Sequence, residues 1–168
     1  MINKMTYFID DGYVSLNHVN EELCGDKVEI VRNELGTTIV LADGLASGVK
    51  ANILATLTSK LLGLMIANGA NIEECVSSVI ATLPVCSVRK VAYATFTVVH
   101  LDKNGLGYVF EFDNPHCLAY KTHLLSTNCA VVFLSNKYFD GNEPIIMVKI
   151  GRTRWYNLSK KNSIEPGQ

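Results

Sequence analysis

Apolar positions along the chain follow two periods, and the change from one to the other marks the elements. Residues 5–17 alternate weakly and contain Asp11 and Gly12, a pair that favours a hairpin turn. KVEIVRN (27–33) and GTTIVLA (36–42) have the β-branched content of strands and predict a hairpin with a short turn at 34–36. From residue 48 the period lengthens. Apolar residues at 54, 57, 61, 64 and 65 form one stripe at helical spacing, so a long helix is predicted over 48–68, with Leu54, Leu57, Leu61 and Leu64 as its core face. Asn68 and Gly69 end it. Asn71 then caps a second helix whose first turn holds Glu73 and Glu74, and Pro84 stops that helix.

Beyond residue 91 the period returns to two. YATFTVVHLD, a turn at 103–105 and LGYVFEFD predict a hairpin, and 117–124, 130–135 and 144–150 predict further short strands. Strands, two helices and strands again, in segregated runs, indicate an α+β fold rather than alternating βαβ units. The strands should stack in layers with the helix pair on one face. Residues 1–150 are expected to be one unit, with 151–168 a polar, poorly ordered tail or the start of a missing segment.

Composition narrows the function classes. A chain of 168 residues with 48% hydrophobic content suits a single domain that needs no covalent staples. The net charge is −1 and the basic residues are scattered, which argues against nucleic acid as a partner. The five cysteines are odd in number and include no CxxC pair, as expected for a reduced, cytoplasmic protein. Cys24 and Cys75 read as small buried apolar residues. The N-terminal residues lack the apolar core of a signal peptide. The stretch 51–67 is interrupted by Lys60 and other polar residues, so no membrane span is expected.

The chemistry-bearing stretch is LADGLASGVKAN (41–52). It places Asp43 and Gly44 at a strand end, with Ser47 and Gly48 opening a helix. A glycine allows close backbone approach, and a helix N-terminus favours anions. A capping or turn role for Asp43 is the plain alternative. Upstream, Asp26 also follows a glycine and precedes a strand. If the two strands form a hairpin, antiparallel pairing brings Asp26 and Asp43 side by side. Paired carboxylates repel unless a proton or cation intervenes, and oxygen ligands with room for water suit Mg²⁺ or Mn²⁺. A surface turn is the plain reading of Asp26. Lys50, in the first helical turn, is a candidate substrate-binding cation, or else a solvated surface lysine. His116 and Cys117 are adjacent and would point to opposite strand faces, so they do not make a chelating pair. Asp113, Asn114 and Pro115 read as a turn with Asn114 in a special conformation.

EELCGD (21–26), LADGLASGVKANI (41–53), AYATF (92–96) and EFDNP (111–115) together resemble the metal-dependent serine/threonine protein phosphatases of type 2C, in the bacterial branch typified by stage II sporulation protein E. The resemblance spans about residues 5 to 150. It implies an α-β-β-α sandwich with a metal centre at one edge between two sheets. It implies that Asp26 and Asp43 are catalytic metal ligands, joined by the Gly44 carbonyl, and that two ions, Mn²⁺ or Mg²⁺, fill a complete site. The implied activity is hydrolysis of phosphoserine or phosphothreonine on a phosphoprotein substrate in bacterial signalling, by a metal-activated water and with no catalytic cysteine.

The family also draws acidic ligands from a later Asp-Gly strand end and a final Asp pair. Here the only later Asp-Gly, Asp140 and Gly141, reads as a plain turn. The fold is therefore expected to be incomplete at the C-terminus, its metal binding weakened, and its unpaired sheet positions open to self-association. A degenerate module that binds and regulates a protein partner is the rival reading. A nucleotide-binding domain ranks below both, since GxGxxG and GxxxxGK[ST] are absent.

Overall fold

The computed structural model describes residues 9–13, 15, 22–45, 48–87, 92–104, 106–115, 117–124, 127–134, 146–151, 154–157 and 162–164. In chain order the elements are β1 (Ile9–Gly12), β2 (Asp26–Asn33), β3 (Gly36–Gly44), α1 (Gly48–Ala67), α2 (Ile72–Thr82), β4 (Ala94–Asp102), β5 (Leu106–Phe112), β6 (Leu118–Leu124), β7 (Thr127–Leu134), β8 (Ile146–Gly151), β9 (Arg154–Asn157) and β10 (Asn162–Ile164). They form a four-stranded sheet, β1-β8-β7-β6, and a six-stranded sheet, β10-β9-β5-β4-β3-β2. Neighbours are antiparallel except β5 and β9, which run parallel. The mixed α/β architecture agrees with the α+β expectation.

The six-stranded sheet is covered on both faces, and alternation along its strands shows how. Ile39 and Leu41 of β3 join Val99, Leu101 and Val109 in one cluster, against which Ile9 of the other sheet packs. Val40 and Ala42 join Phe96 and Val98 in a second cluster, with Leu62 and Ile66 of α1 and Val76 of α2. Odd positions of β3 therefore face the other sheet and even positions face the helices. With both sides dry, β3 reads as a continuous apolar run, and Ile39, Val40 and Ala42 are fully buried. Burying each large aliphatic side chain here is worth about 1.5–3 kcal/mol.

The turn between β2 and β3 is held by Asn33, whose Oδ1 accepts the N–H groups of Leu35 and Gly36. Its Nδ2 donates to the carbonyl of Ala67, satisfying an orphan group at the end of α1. Asn71 caps α2 as expected, its side chain accepting the N–H of Glu74 at 3.1 Å.

Two sequence expectations are corrected. Leu57, Leu61 and Leu64 do not form the core face of α1; all three are about half exposed, and Leu54 is only half-buried. The buried face is Ala51, Ala55, Thr58, Ser59, Leu62, Gly63, Ile66 and Ala67. Small residues let the helix approach β2 and β3 closely: a Cβ at Gly63 would lie 3.2 Å from Glu29 Cγ, and one at Gly44 would lie 2.2 Å from the Ala51 carbonyl oxygen. Helical periodicity identified the element, but both faces are apolar and the larger one was mistaken for the core. Next, Asp11 and Gly12 do not make a hairpin turn; they sit within β1, opposite Val148 and Met147. Residues beyond 150 contribute β9 and β10, which extend the sheet beyond β5. By length and composition α1 would also suffice to cross a membrane, with a mean hydropathy of 1.3, but its packing on the sheet is that of a core helix.

On the helix-facing side of the sheet, Thr38 and His100 are cross-strand partners, with Oγ1 and Nδ1 2.9 Å apart. Burial pushes the His100 imidazole below its ordinary value of 6.5, against the smaller opposing pull of Asp102. The folded state thus holds His100 neutral, and the unfolded chain takes up a proton first as pH falls.

Two predictions follow from this packing. Leu62→Ala is expected to cost about 2–5 kcal/mol in denaturant unfolding and Leu61→Ala about 0.5 kcal/mol or less, the reverse of the ranking the sequence suggests. Stability should be full above pH 6.5 and fall as pH drops below it toward the lowered folded-state value of His100. His100→Gln should flatten that slope in melting curves taken above about pH 5, where carboxylates remain ionised.

Candidate functional site

The β2–β3 ladder places Asp26 directly opposite Asp43. One step further out, the Gly44 N–H donates to the Gly25 carbonyl at 3.1 Å. That bond makes Gly25 and Gly44 a hydrogen-bonded pair and leaves Asp26 and Asp43 a non-hydrogen-bonded pair, the kind whose Cα atoms lie about 4.5 Å apart. Both aspartates belong to the alternation series that faces the other sheet, with Val28 and Ile30 in β2 and Ile39 and Leu41 in β3. Both are half-buried. The two aspartates therefore sit side by side on the intersheet face, on the edge strand β2 and its neighbour.

The surroundings hold this edge in place. Asp26 N–H donates to Cys24 Sγ at 3.4 Å, and Asn52 of α1 donates to the Cys24 carbonyl at 2.7 Å. Leu45 N–H donates to the Tyr93 carbonyl at 2.8 Å, fixing the chain as it leaves β3. Asp43 lies inside β3, ahead of the first residue of α1, so it is not the helix cap. Gly44 is required by the helix: its missing Cβ is what admits the backbone of Ala51. Lys50 stands exposed in the first turn of α1. Ser47 and His116 lie outside the described residues, as do Asp140 and Gly141.

A polar network that sequence reading passed over adjoins the pair. Thr95 of β4 sits opposite Asp43. Its hydroxyl donates to Asn114 Oδ1 at 3.3 Å, while Asn114 Nδ2 donates to Thr97 Oγ1 at 2.9 Å. Thr97 is in turn opposite Glu111, whose Oε1 accepts the Cys117 N–H at 2.6 Å. The Thr-x-Thr spacing of β4 was the available signal, since period two puts both hydroxyls on one face. The residue with unusual backbone in this turn is Asp113, at φ 49°, and not Asn114.

Two cysteines near the sheet are held protonated. Burial, then the charge of Glu111, pushes the Cys117 thiol far up, and burial raises Cys75 as well, so both stay protonated and unreactive. Cys24 is half-buried, not the fully buried residue expected. Asp11 does not belong to the candidate site: it forms an ion pair with Arg32, near the opposite end of β2.

No protein-family model matches the sequence, and no curated protein matches it significantly. Solved structures do. The RsbU and RsbW domains of a Mycobacterium tuberculosis protein superpose with a TM-score of 0.61 at 12% identity, over 88% of this chain and 61% of that one. RsbX, solved in complex with magnesium, gives 0.59 at 10% identity over 85% of this chain and 94% of its own. The PP2C phosphatase domain of Bacillus subtilis SpoIIE, solved with a fragment of its regulatory domain, gives 0.51 at 13% identity over 95% of this chain and 40% of that chain. The fold is that of the type 2C phosphatase domains. It is shared across RsbU, RsbX and SpoIIE, so it does not single out the sporulation protein E branch.

Paired carboxylates at a solvent-accessible edge are the right chemistry for a hard divalent cation. Among the described residues, however, no group of three or more His, Cys, Asp or Glu is placed to hold an ion. The pair fits an ion in donor type and falls short in number. Calorimetric titration with Mn²⁺ is expected to show binding to the wild-type chain, weakened by at least about tenfold in Asp26→Asn and in Asp43→Asn. Equal binding by all three proteins would place the ion elsewhere.

Proposed function

We propose that this chain is a metal-dependent phosphoprotein phosphatase of bacterial signalling, acting in the cytoplasm on phosphoserine or phosphothreonine. The observation that carries the reading is the cross-strand pair of Asp26 and Asp43 on the intersheet face at one end of a type 2C phosphatase sandwich. Their carboxylates, with the Gly44 carbonyl, would hold Mg²⁺ or Mn²⁺. A bound divalent ion supplies Lewis acidity toward phosphoryl oxygens and lowers the pKa of water.

The chain's own residues do the rest. The ladder between β2 and β3 sets the two backbones side by side before any ligand arrives, which would limit the reorganisation needed on binding. Lys50, at the N-terminal turn of α1, would attract the phosphate dianion toward the pair. Thr95 and Asn114 border the pair and orient the loop that follows β5. The apolar wall of Leu41, Val28 and Ile30 limits water to the open side of the site.

A regulatory module is the second reading. It is favoured by the want of a third acidic ligand among the described residues. On that reading the sandwich binds a protein partner and catalyses nothing.

The two readings part on turnover. The phosphatase reading expects Mn²⁺-dependent release of phosphate from p-nitrophenyl phosphate and from a phosphoserine peptide, reduced about 100-fold or more in Asp43→Asn. A folded, Mn²⁺-saturated chain that releases no phosphate from either substrate would leave the module as the better account.

A further inference from the structure

A cavity of about 420 Å³ opens on the helix-facing side of the six-stranded sheet, where α1 gives way to α2. That volume lies in the range of small-molecule sites. Its apolar wall includes Leu35 of the β2–β3 turn, Ile66 of α1 and Ile72 of α2. Glu73, His100, Asp102 and Tyr108 supply polar lining. Thr95 of β4 sits opposite Asp43, so His100, on the other face of the sheet, lies roughly 17 Å further along that strand. The cavity and the aspartate pair share no residue.

His100 is a buried polar group that the fold satisfies on one side. Its side chain is only 9% exposed. Nδ1 is engaged by the hydroxyl of buried Thr38, and Nε2 has no hydrogen-bond partner among the described residues. A buried ring nitrogen without a partner is costly, and a ligand in the cavity would supply one.

Charge selects that ligand. Among the described residues the lining holds two carboxylates and no lysine or arginine. Asp102 is hydrogen-bonded by neutral donors, the N–H groups of Asn104 and Leu106 and the Asn104 amide. Glu73 forms no ion pair among the described residues. Burial favours the uncharged form of His100, so the imidazole does not offset these charges. An anion is therefore disfavoured. The N-terminus of α2 does not reverse this, because Asn71 Oδ1 already accepts the Glu74 N–H, and Glu73 and Glu74 occupy the first turn. A bare divalent ion is disfavoured too, since no three His, Cys, Asp or Glu among the described residues are placed to hold one. An organic cation remains. Its ammonium group would meet the carboxylates and Nε2, and its body would lie against Leu35, Ile66 and Ile72. The Tyr108 ring, 6.2 Å from that of His100, adds a π face for the cation. Such a donor selects the tautomer in which Nδ1–H donates to Thr38 Oγ1 and Nε2 accepts.

We propose that this cavity binds a small primary amine in its protonated form, one carrying a short aromatic or aliphatic body. The site stands whether or not the aspartate pair turns over phosphate.

The test titrates phenethylamine into the ¹⁵N-labelled full chain at constant ionic strength, beside phenethyl alcohol and phenylacetate, which keep the ring and change the charge. The amine is expected to bind at least about tenfold more tightly than either. It should shift the amide signals of Gly69, Asn71 and Asp102 and leave those of Asp26 and Asp43 in place. Glu73→Gln, at an exposed position that tolerates substitution, should weaken the amine about threefold and leave the alcohol unchanged. His100→Leu, checked for folding by circular dichroism, should weaken the amine about tenfold. Equal binding of amine and alcohol, tighter binding of phenylacetate, no binding of the amine, or shifts centred on Asp26 and Asp43 would each overturn the proposal. So would full amine affinity in Glu73→Gln and in folded His100→Leu.

Discussion

The register between β2 and β3 is the constraint from which the rest follows. It is set by burial on both faces of β3, where Ile39 and Leu41 face the other sheet and Val40 and Ala42 face the helices. Sliding the strand by one residue would exchange these two sets and turn Asp43 from the intersheet cleft toward α1. That alternative would bury a carboxylate against a close-packed helix, so the apolar core itself enforces the position of the charged pair. The position of the pair is thus fixed by residues that have no chemistry of their own.

Much of this was legible in the sequence because it rests on local pattern. The two strands, their short turn and the adjacency of Asp26 and Asp43 follow from period-two alternation about residues 34–36. The Asn71 cap and the Pro84 stop follow from backbone sterics and orphan N–H groups. What was not legible depends on tertiary partners. Asp11 and Gly12 have the form of a turn, yet the pairing of β1 with β8 draws them into a sheet. The role of Thr95 and Asn114 needed the β4–β5 register, since nothing in a lone Asn-Pro shows which hydroxyls it will meet.

The misreading of α1 has the same origin. A helix with alanine, serine, threonine and glycine along one side and leucine along the other gives a clear period but no clear inside. Side-chain size suggests that the leucines should be buried. Close approach to the sheet instead selects the small side, as the tight fit of Gly44 against Ala51 and of Gly63 against Glu29 and Val31 shows. The helix is pulled down onto β2 and β3, which fixes the N-terminal turn beside the candidate site. The same choice leaves the leucines in water. One packing decision therefore positions the edge that carries the pair and creates the apolar outer face.

The proposed metal site predicts a divalent ion between Asp26 and Asp43. Paramagnetic broadening tests it most directly: Mn²⁺ is added in substoichiometric amounts to the ¹⁵N-labelled chain and amide signals are followed by NMR. Gly25, Asp26, Asp43 and Gly44 are expected to fade first while Asp11 and Arg32, near the other end of β2, stay sharp. Broadening centred anywhere else, or spread evenly over the chain, would contradict it.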